Sequence, residues 1–364
     1  MRNCSIMPDI SFRPFAFLHR RLATAMFLAC LIAFSCKNST PGVDENGTGG
    51  PAPGATHPGK PLRKVRLLPY WVTTAQFGGY YVGIEKGIFR KHGIDLEILP
   101  FDPFVPTRNE IESGRADFAL LWLVNAIELR SGGVDIVNIA QLSYRSSLML
   151  LAKKSSGIRK LADLNGRTAG IWSGYELQPR ALFSKYNLDV KMIPIGSTNT
   201  LFLLDGVDAI NANWFDEYHS ILNNGYDSTD LVRFFFADYG LNFLEDGIYC
   251  LSQKVRSDPQ LCVDFVEAAL ESWNYAFSHP DETIDIVIRI IRKEKRPVNR
   301  SHQEWMLSKY QELYIPRGKQ AINTLLLQKD YINILSIMLE SRLISNKVPY
   351  AAFCRHYETL GTAE

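Results

Sequence analysis

The sequence lacks the patterns that mark the common catalytic and metal-binding sites. It contains no P-loop, no dinucleotide-binding G-x-G-x-x-G and no H-E-x-x-H pattern. Its seven histidines, from His19 to His356, are scattered without the spacing of metal ligands. We therefore expect no metal site, no bound cofactor and no free-standing catalytic centre.

An excess of charge of one sign is also absent. The formal charge of +2 depends on the first 35 residues, which hold four arginines and one aspartate and leave 36 basic and 37 acidic residues after them. A nearly neutral chain does not produce the positive electrostatic potential that binds a polyanion, so nucleic acid is not an expected partner.

The sequence has no apolar run that crosses a bilayer comfortably. Residues 22–34 are thirteen uncharged residues that follow Arg20 and Arg21, which is typical of an export signal, although a buried N-terminal helix is the alternative. Residues 37–61 contain six glycines and five prolines and predict a tether. The run Ala33-Phe34-Ser35-Cys36 resembles the acceptor of a bacterial lipoprotein. We predict a signal peptide over 1–35, a lipid on Cys36 and a tether over 36–61.

Cysteine is scarce in the remaining chain. After removal of the signal, Cys36, Cys250, Cys262 and Cys354 remain, and with Cys36 lipidated an odd number is left. That count argues against a disulfide framework. Cys250 and Cys262 either pair in an oxidising compartment or stay as two buried thiols.

From Val65 onward, short apolar runs alternate with helical stretches, which predicts parallel sheets covered by helices. Strands are expected at 65–71, 94–99 and 117–122. A glycine that ends a helix, an aspartate and then a strand occur at Gly114 and Asp117 and again at Gly206 and Asp208. This repeat favours two lobes of similar build. After Asp258, a predicted N-cap, helices are expected at 261–279, 281–292, 302–314 and 321–344.

The stretch from Val65 to about Phe353 resembles the solute-binding proteins of ABC transporters that import thiamine-pyrimidine precursors and riboflavin. The strings that carry the resemblance are YWVTTAQFGGYYVGIEKGIFRKHGIDLEIL, SGRADFALL, LADLNGRTAG, GVDAINANWFDEY and GLNFLEDGIY. The resemblance implies a type II periplasmic-binding fold, with two α/β lobes, a hinge and a C-terminal helical extension. It places lobe one at 62–150, lobe two at 151–236 and a return to lobe one at 237–364.

The function that the resemblance implies is that of an exported lipoprotein of an ABC importer. A monomer anchored through its N-terminal lipid would capture a small planar heterocycle, such as a thiamine pyrimidine precursor or riboflavin, and deliver it to a permease and its ATPase. The related eukaryotic thiamine pyrimidine synthases use a pyridoxal-phosphate lysine and a sacrificial histidine. Those positions read Leu121 and Asn125 here, which argues against the enzyme. A sensory module without a permease is a third possibility.

Ligand contacts are expected where strands end, since ligands of open α/β sheets collect there. Four tryptophans follow apolar strand patterns and could stack on a flat ring, although they could also merely close the lobe edges. The predicted ligand-binding residues are Trp71, Gln76, Trp122, Asn125, Tyr144, Trp172, Tyr175, Glu176, Asn213, Trp214, Glu217 and Asp246. Asp117 and Asp208 are expected to tie turns. Gly78 and Gly79 either let the backbone approach the solute or provide conformational freedom at the start of a helix.

Overall fold

Short buried strands alternate with helices over residues 61–360, which are the residues that the computed structural model describes. The predicted signal peptide, Cys36 and the predicted tether up to residue 60 lie outside them. The strands are β1 Arg63–Leu68, β2 Ile94–Ile98, β3 Phe118–Leu121, β4 Ile136–Gln141, β5 Leu148–Lys153, β6 Thr168–Trp172, β7 Lys191–Ile195, β8 Ala209–Asn213, β9 Leu231–Phe235 and β10 Gly247–Leu251.

The α-helices of the described residues fall into short ones between strands and longer ones near the C-terminal end. They are α1 Gly78–Glu85, α2 Ile88–Lys91, α3 Thr107–Glu112, α4 Leu123–Ser131, α5 Leu177–Lys185, α6 Thr200–Leu203, α7 Glu217–Asn223, α8 Ser252–Ser257, α9 Pro259–Ser278, α10 Pro280–Lys293, α11 Arg300–Tyr314, α12 Gln328–Glu340 and α13 Tyr350–Phe353.

The strands form two five-stranded sheets with the same plan. The first has the order β2-β1-β3-β10-β4 and the second the order β7-β6-β8-β5-β9. In each sheet four strands run in the same direction, and the fourth in the order, β10 or β5, pairs antiparallel with both neighbours. That antiparallel strand is the one that arrives from the other lobe. The predicted α/β fold of two similar lobes is confirmed.

The chain crosses between the lobes twice, at residues 142–147 and 236–246, and the two crossings are bonded to each other. Leu142 N–H donates to the carbonyl of Asp246 over 3.0 Å, and Ser146 N–H donates to Asn242 Oδ1 over 2.8 Å. The chain enters the second sheet at Leu148, the first residue of β5. This pair of crossings is the hinge region of the fold.

Two aspartates occupy matching positions in the two lobes. Asp117 accepts from Arg66 N–H over 2.9 Å and donates its own N–H to the Arg66 carbonyl over 2.9 Å. Asp208 makes the same pair of contacts with Thr168, over 2.8 and 3.0 Å. Each aspartate thus ties the start of one strand to the neighbouring parallel strand. Both aspartates were expected to tie turns, and in the structure they join neighbouring strands instead.

The C-terminal helices cover the lobes, with one departure from the sequence prediction. Asp258 caps α9 by accepting from Leu261 N–H over 3.0 Å, as predicted. The helix expected from residue 321, however, begins only at Gln328. Before it, Asn323 Nδ2 donates to the carbonyl of Gln141 over 2.6 Å, and Gln141 N–H donates to the carbonyl of Thr324 over 3.0 Å. These contacts with the end of β4 hold residues 321–327 in a non-helical path.

The first strand also ends earlier than predicted. Strand β1 stops at Leu68 instead of Trp71. Pro69 follows it and has no N–H to donate to a neighbouring strand, so the ladder cannot continue. Trp71 therefore lies in the loop beyond the strand.

Cys250 and Cys262 are both buried and both free, so of the two alternatives the structure has two thiols. Within residues 61–360, no helix combines the length and apolar character that a membrane span requires.

Gly79 on α1 packs directly against Trp273 of α9. A Cβ on Gly79 would lie 2.3 Å from a ring carbon of Trp273, whose side chain is fully buried. Gly78 and Gly79 do not line the cavity described below. The pair stands at the start of α1, and close packing of Gly79 within lobe one is a further role that the sequence analysis did not predict.

We expect Gly79→Ala to lower the free energy of unfolding by about 1 to 3 kcal/mol, because the buried indole has no space to retreat. The matched control is Gly196→Ala, since a Cβ on Gly196 meets nothing within 4 Å. Urea unfolding followed by circular dichroism measures both. Equal midpoints for the two variants would contradict the packing role of Gly79.

Candidate functional site

A cavity of about 340 Å³ lies between the two lobes, at the carboxyl ends of several strands. A volume of this size suits a small organic ligand. Lobe one contributes Tyr70, Trp71, Gln76 and Trp122 to the wall, and the lobe-two side contributes Trp172, Ser173, Tyr175, Ile195, Gly196, Ser197, Asn213, Phe215, Asp216 and Glu217.

Aromatic rings form a continuous chain across the cavity wall. Tyr70 meets Trp122 edge to face with ring centroids 6.4 Å apart, and Trp122 meets Tyr175 of the other lobe at 5.2 Å. Tyr175 in turn meets Trp172 at 5.9 Å. At the mouth, Trp71 is 41% exposed and lies 5.4 Å from Phe101. These rings offer flat apolar faces on both sides of the cleft.

The cavity wall carries two carboxylates and no lysine, arginine or histidine. Asp216 Oδ1 lies 2.9 Å from Nε2 of His302. Glu217 Oε2 accepts from Asn213 N–H over 2.9 Å. Burial, and then the neighbouring Asp216, raise the pKa of Glu217 to about 8. Near neutral pH, Glu217 is therefore largely protonated, and a bound positive charge or donor would favour its ionised form.

On the lobe-one side, two buried donors in the wall have no hydrogen-bond partner. They are Nε2 of Gln76, a residue that is 3% exposed, and Nε1 of Trp122, which is 6% exposed. A buried N–H without an acceptor is costly, so native proteins rarely leave one unsatisfied. Gln76 and Trp122 both line the cavity, where a ligand could supply the missing acceptor atoms.

A second pair of buried acids lies behind Tyr70, at the hinge. Tyr70 Oη donates to Asp246 Oδ1 over 2.6 Å. Glu245 accepts from Ser146 Oγ over 2.8 Å and from the N–H of Ser147 over 3.1 Å. Burial is the main cause that raises the pKa of Asp246 to about 7 and that of Glu245 to about 8. Asp246 thus affects the cavity only through Tyr70.

Seven of the predicted site residues line this cavity, and their contact with a ligand remains a prediction. They are Trp71, Gln76, Trp122, Trp172, Tyr175, Asn213 and Glu217. They come from the ends of β1, β3, β6 and β8 and from the turns that follow, as expected for an open α/β sheet.

Trp214 does not line the cavity, which corrects the expectation of four tryptophans around one ligand. Its ring lies 4.6 Å from that of Tyr218 and 5.4 Å from that of Trp305. Its Nε1 donates to Glu312 Oε2 over 3.3 Å. The side chain faces α11, because the next residue, Phe215, is the one that turns into the cleft.

Four polar candidates also lie off the wall. Asn125 is exposed on α4, whose other face is buried, and Tyr144 lies in the first crossing, where its N–H donates to Leu313. Glu176 accepts from Gly174 N–H over 3.1 Å and so ties the turn before α5. Asp246 is buried beneath Tyr70. The side chains of Glu176 and Asp246 are thus bonded within the protein, and Asn125 and Tyr144 do not line the cavity.

Seven wall residues were missed by the sequence analysis. Four of them, Tyr70, Ser173, Phe215 and Asp216, are direct neighbours of predicted residues. The other three, Ile195, Gly196 and Ser197, lie at the end of β7, and the same strand-end rule applied to that strand would have found them. The prediction selected aromatic, amide and carboxylate side chains and did not include the end of β7.

The residues that match the enzyme positions do not reach the cavity wall. Leu121 is 4% exposed in the core beneath the cleft, and Asn125 is exposed on α4. No lysine lines the cavity, so no wall residue could hold pyridoxal phosphate as a Schiff base. Among residues 61–360, no three histidine, cysteine or acidic side chains are grouped so that they could hold a metal ion.

The two-lobed fold with its interlobe cavity is that of periplasmic solute-binding proteins. The structure is similar to that of the aliphatic sulphonate binding protein SsuA from Escherichia coli, with a TM-score of 0.63 and 13% identity over 79% of this chain and 91% of that one. At this identity the likeness shows the fold.

The family is shown by sequence. The family model described as NMT1/THI5 like matches residues 74–283, and the chain belongs to this family. It is 25% identical to the riboflavin-binding protein RibY of Chloroflexus aurantiacus, over 74% of this chain and 78% of that protein. It is 23% identical to a formylaminopyrimidine-binding protein of Halalkalibacterium halodurans, over 78% and 83% of the two chains. The resemblance seen in the sequence is confirmed.

The hinge acid gives a pH dependence of stability. The folded protein holds a proton on Glu245 up to about pH 8, whereas an unfolded glutamate releases it near pH 4.5. Between these values the folded state binds more protons, so stability falls as pH rises. We expect the melting temperature to decrease between pH 6 and pH 9.

The variant Glu245→Gln should show a shallower decrease, because one of the buried acids no longer titrates, while Glu217 and Asp246 still do. Glu112→Gln, at an exposed position paired with Arg108, is the control and should keep the slope of the parent protein. Thermal unfolding at four pH values measures the slopes. A slope in Glu245→Gln equal to that of the control would contradict the assignment.

Proposed function

We propose that this protein is the extracytoplasmic solute-binding component of an ABC importer and captures a small planar heterocycle between its lobes. The observation that carries the proposal is the interlobe cavity itself, with an aromatic chain across its wall, two carboxylates and no basic group. Stacking on such rings and enclosed hydrogen bonds would supply affinity, and lobe closure would exclude water.

The charge of the wall narrows the ligand class. An anionic ligand would bring its charge next to Asp216, and no lysine, arginine or histidine lines the wall to offset it. The ligand is therefore neutral or cationic. Although the fold is shared with a sulphonate-binding protein, a sulfonate does not suit this wall.

The donors and acceptors of the wall lie on opposite sides. Gln76 Nε2 and Trp122 Nε1 of lobe one lack acceptors, while Asp216 and Glu217 on the other side offer acceptor oxygens. A flat ring with acceptor atoms along one edge and N–H groups along the other would satisfy both sides at once. Aminopyrimidines and the uncharged ring system of riboflavin both have this character, in agreement with what the two relatives are named for binding.

Partners and location follow from this role. The protein would act outside the cytoplasm as a monomer, held at the membrane by a lipid on Cys36 and the tether at 36–61, and would pass its solute to a permease driven by an ATPase. Lobe one at 62–150, lobe two at 151–236 and the return at 237–364 would move about the two crossings.

The second candidate function is a pyridoxal-phosphate enzyme of the thiamine pyrimidine synthase type. The absence of a lysine from the cavity wall, with Leu121 and Asn125 away from it, disfavours this candidate. Incubation with pyridoxal phosphate should produce no aldimine absorbance that borohydride bleaches.

The ligand class is tested by a thermal-shift screen of ligand-stripped protein. The probes are an aminopyrimidine, its N-formyl derivative, riboflavin, riboflavin phosphate and an alkanesulfonate. We expect at least one uncharged or cationic probe to raise the melting temperature, since a hundredfold excess over Kd stabilises by about 2.7 kcal/mol.

Riboflavin and riboflavin phosphate form a matched pair that differs only in the anionic group, and the phosphate should give the smaller shift. A stronger response to riboflavin phosphate or to the sulfonate would overturn the charge argument. If no planar probe shifts the melting curve, the proposal of a planar heterocycle fails.

The stacking contribution is tested at the cavity mouth. Trp71→Ala should weaken binding of the best probe about fivefold, corresponding to about 1 kcal/mol of ring stacking. Tyr186→Ala is the matched control. Tyr186 is 42% exposed and meets one ring, Tyr239, at 5.5 Å, much as Trp71 meets Phe101, but it does not line the cavity. Calorimetric titration compares the two, and equal losses of affinity would contradict a role for Trp71 in binding.

A further inference from the structure

Away from the crossings, the lobes meet through residues 214–219, which follow β8 in lobe two, and one face of α11 in lobe one. We call these two segments together the clasp. Helix α11 belongs to lobe one, because Met306, Leu307 and Tyr310 lie in its core. Helix α7 belongs to lobe two, because Tyr218 and Ile221 lie in the core of the second sheet.

Each lobe inserts one aromatic side chain into the other at the clasp. Phe215 is 3% exposed, belongs to the lobe-one core and lies 4.9 Å from the ring of Tyr310. Trp305 of α11 packs against the core of lobe two and stacks on the ring of His219 at 4.8 Å. Separation of the lobes would expose both side chains to water, so burial favours the closed arrangement.

Hydrogen bonds fix the position of the two clasp segments relative to each other. Trp305 Nε1 donates to the carbonyl of Trp214 over 3.0 Å, and Trp214 Nε1 donates to Glu312 Oε2 over 3.3 Å. His302 Nε2 lies 2.9 Å from Asp216 Oδ1. All three hydrogen bonds join residues of different lobes.

The two histidines form a chain of close polar contacts with Asp216. Asn223 Nδ2 lies 3.2 Å from His219 Nδ1, and an amide nitrogen only donates, so His219 Nδ1 is an acceptor. His302 Nδ1 lies 2.9 Å from the same atom and donates to it. His302 Nε2 lies 2.9 Å from Asp216 Oδ1. The clasp thus holds His302 between Asp216 and His219.

The clasp is continuous with the ligand cavity, because Phe215 and Asp216 both line the cavity wall. We propose that the clasp couples closure of the lobes to the binding site, with His302 as a positioning residue that holds the Asp216 carboxylate in the wall. When the clasp opens, Asp216 loses its contact with His302 and Phe215 leaves the wall. A complete cavity therefore requires a closed clasp.

The same arrangement makes the clasp weaker in acid. The titratable groups around His219 are Asp216 before α7, Glu217 in the first turn of α7, and His302 on α11, with Lys309 over the Trp305 ring. Burial first, and then His302, lower the pKa of His219 in the closed clasp below its ordinary 6.5. The open form takes up the proton more readily, so closure is favoured above about pH 6.5 and lost as pH falls. A proton on Nδ1 would face the proton that His302 donates.

The test uses ligand-free protein, so its failure is distinct from a failure of the proposed function. Hydrogen exchange read by mass spectrometry follows amides 214–223 between pH 7.5 and 5.5, with intrinsic rates divided out. We expect protection in the parent protein to fall at least tenfold toward acid. His302→Ala should show that loss already at pH 7.5, with unchanged circular dichroism.

The variant His219→Gln distinguishes protonation of residue 219 from loss of its hydrogen bond. A glutamine oxygen can still accept from His302 but does not titrate near neutral pH. This variant should stay protected at pH 5.5. The control is His92→Gln, in lobe one, where His92 contacts Glu271 outside the clasp, and it should keep the parent profile. Full protection in His302→Ala, or acid loosening in His219→Gln equal to that of the parent protein, would overturn the proposal.

Discussion

The arrangement of the molecule depends on the buried hydrogen bonds that join its two chain crossings. Glu245 on the second crossing accepts from Ser146 and Ser147 on the first, and its carbonyl accepts from Gln141 and Ser143. A buried carboxyl group needs such donors, and in satisfying it the crossings are fixed side by side. The lobes are therefore joined at one defined place, and the cavity opens beside it.

This arrangement brings several acidic side chains together in and behind the cleft. Glu217, Glu245 and Asp246 are all held with raised pKa values because burial disfavours their charged forms. Perturbed acids in a cleft are typical of functional sites. Of the three, Glu217 lines the cavity wall, which includes no lysine, arginine or histidine, whereas Glu245 and Asp246 lie behind it.

The two lobes share a plan but use it differently. Equivalent strands β1 and β6 lead to Trp71 and Trp172, and equivalent strands β3 and β8 lead to Trp122 and Trp214. Three of the side chains line the cavity, whereas Trp214 faces α11, a helix of lobe one that has no counterpart among the described residues of lobe two. The extra helices after residue 258 thus break the symmetry and convert one strand end from a ligand wall into a contact between lobes.

Much of the fold was predictable from the sequence because strand and helix periodicities, glycine stops and caps are local. Asp258 acts as its position in the pattern indicated, and the tryptophans lie at or just beyond strand ends. The family resemblance supplied the two-lobed plan. The candidate site was predictable only in part, because residues such as Asn125 and Glu176 lie near strand ends yet point elsewhere.

The sequence by itself therefore determined the helices and strands, and the edge of each sheet at which the cavity residues lie. Only the tertiary structure decided which side chains meet there. Asp216 and His302 are far apart in the chain, and residues 321–327 follow a helical pattern yet bond to β4 instead. The physical reason is that contacts between distant segments overrule local preference, and no periodicity along the chain encodes which distant segments meet.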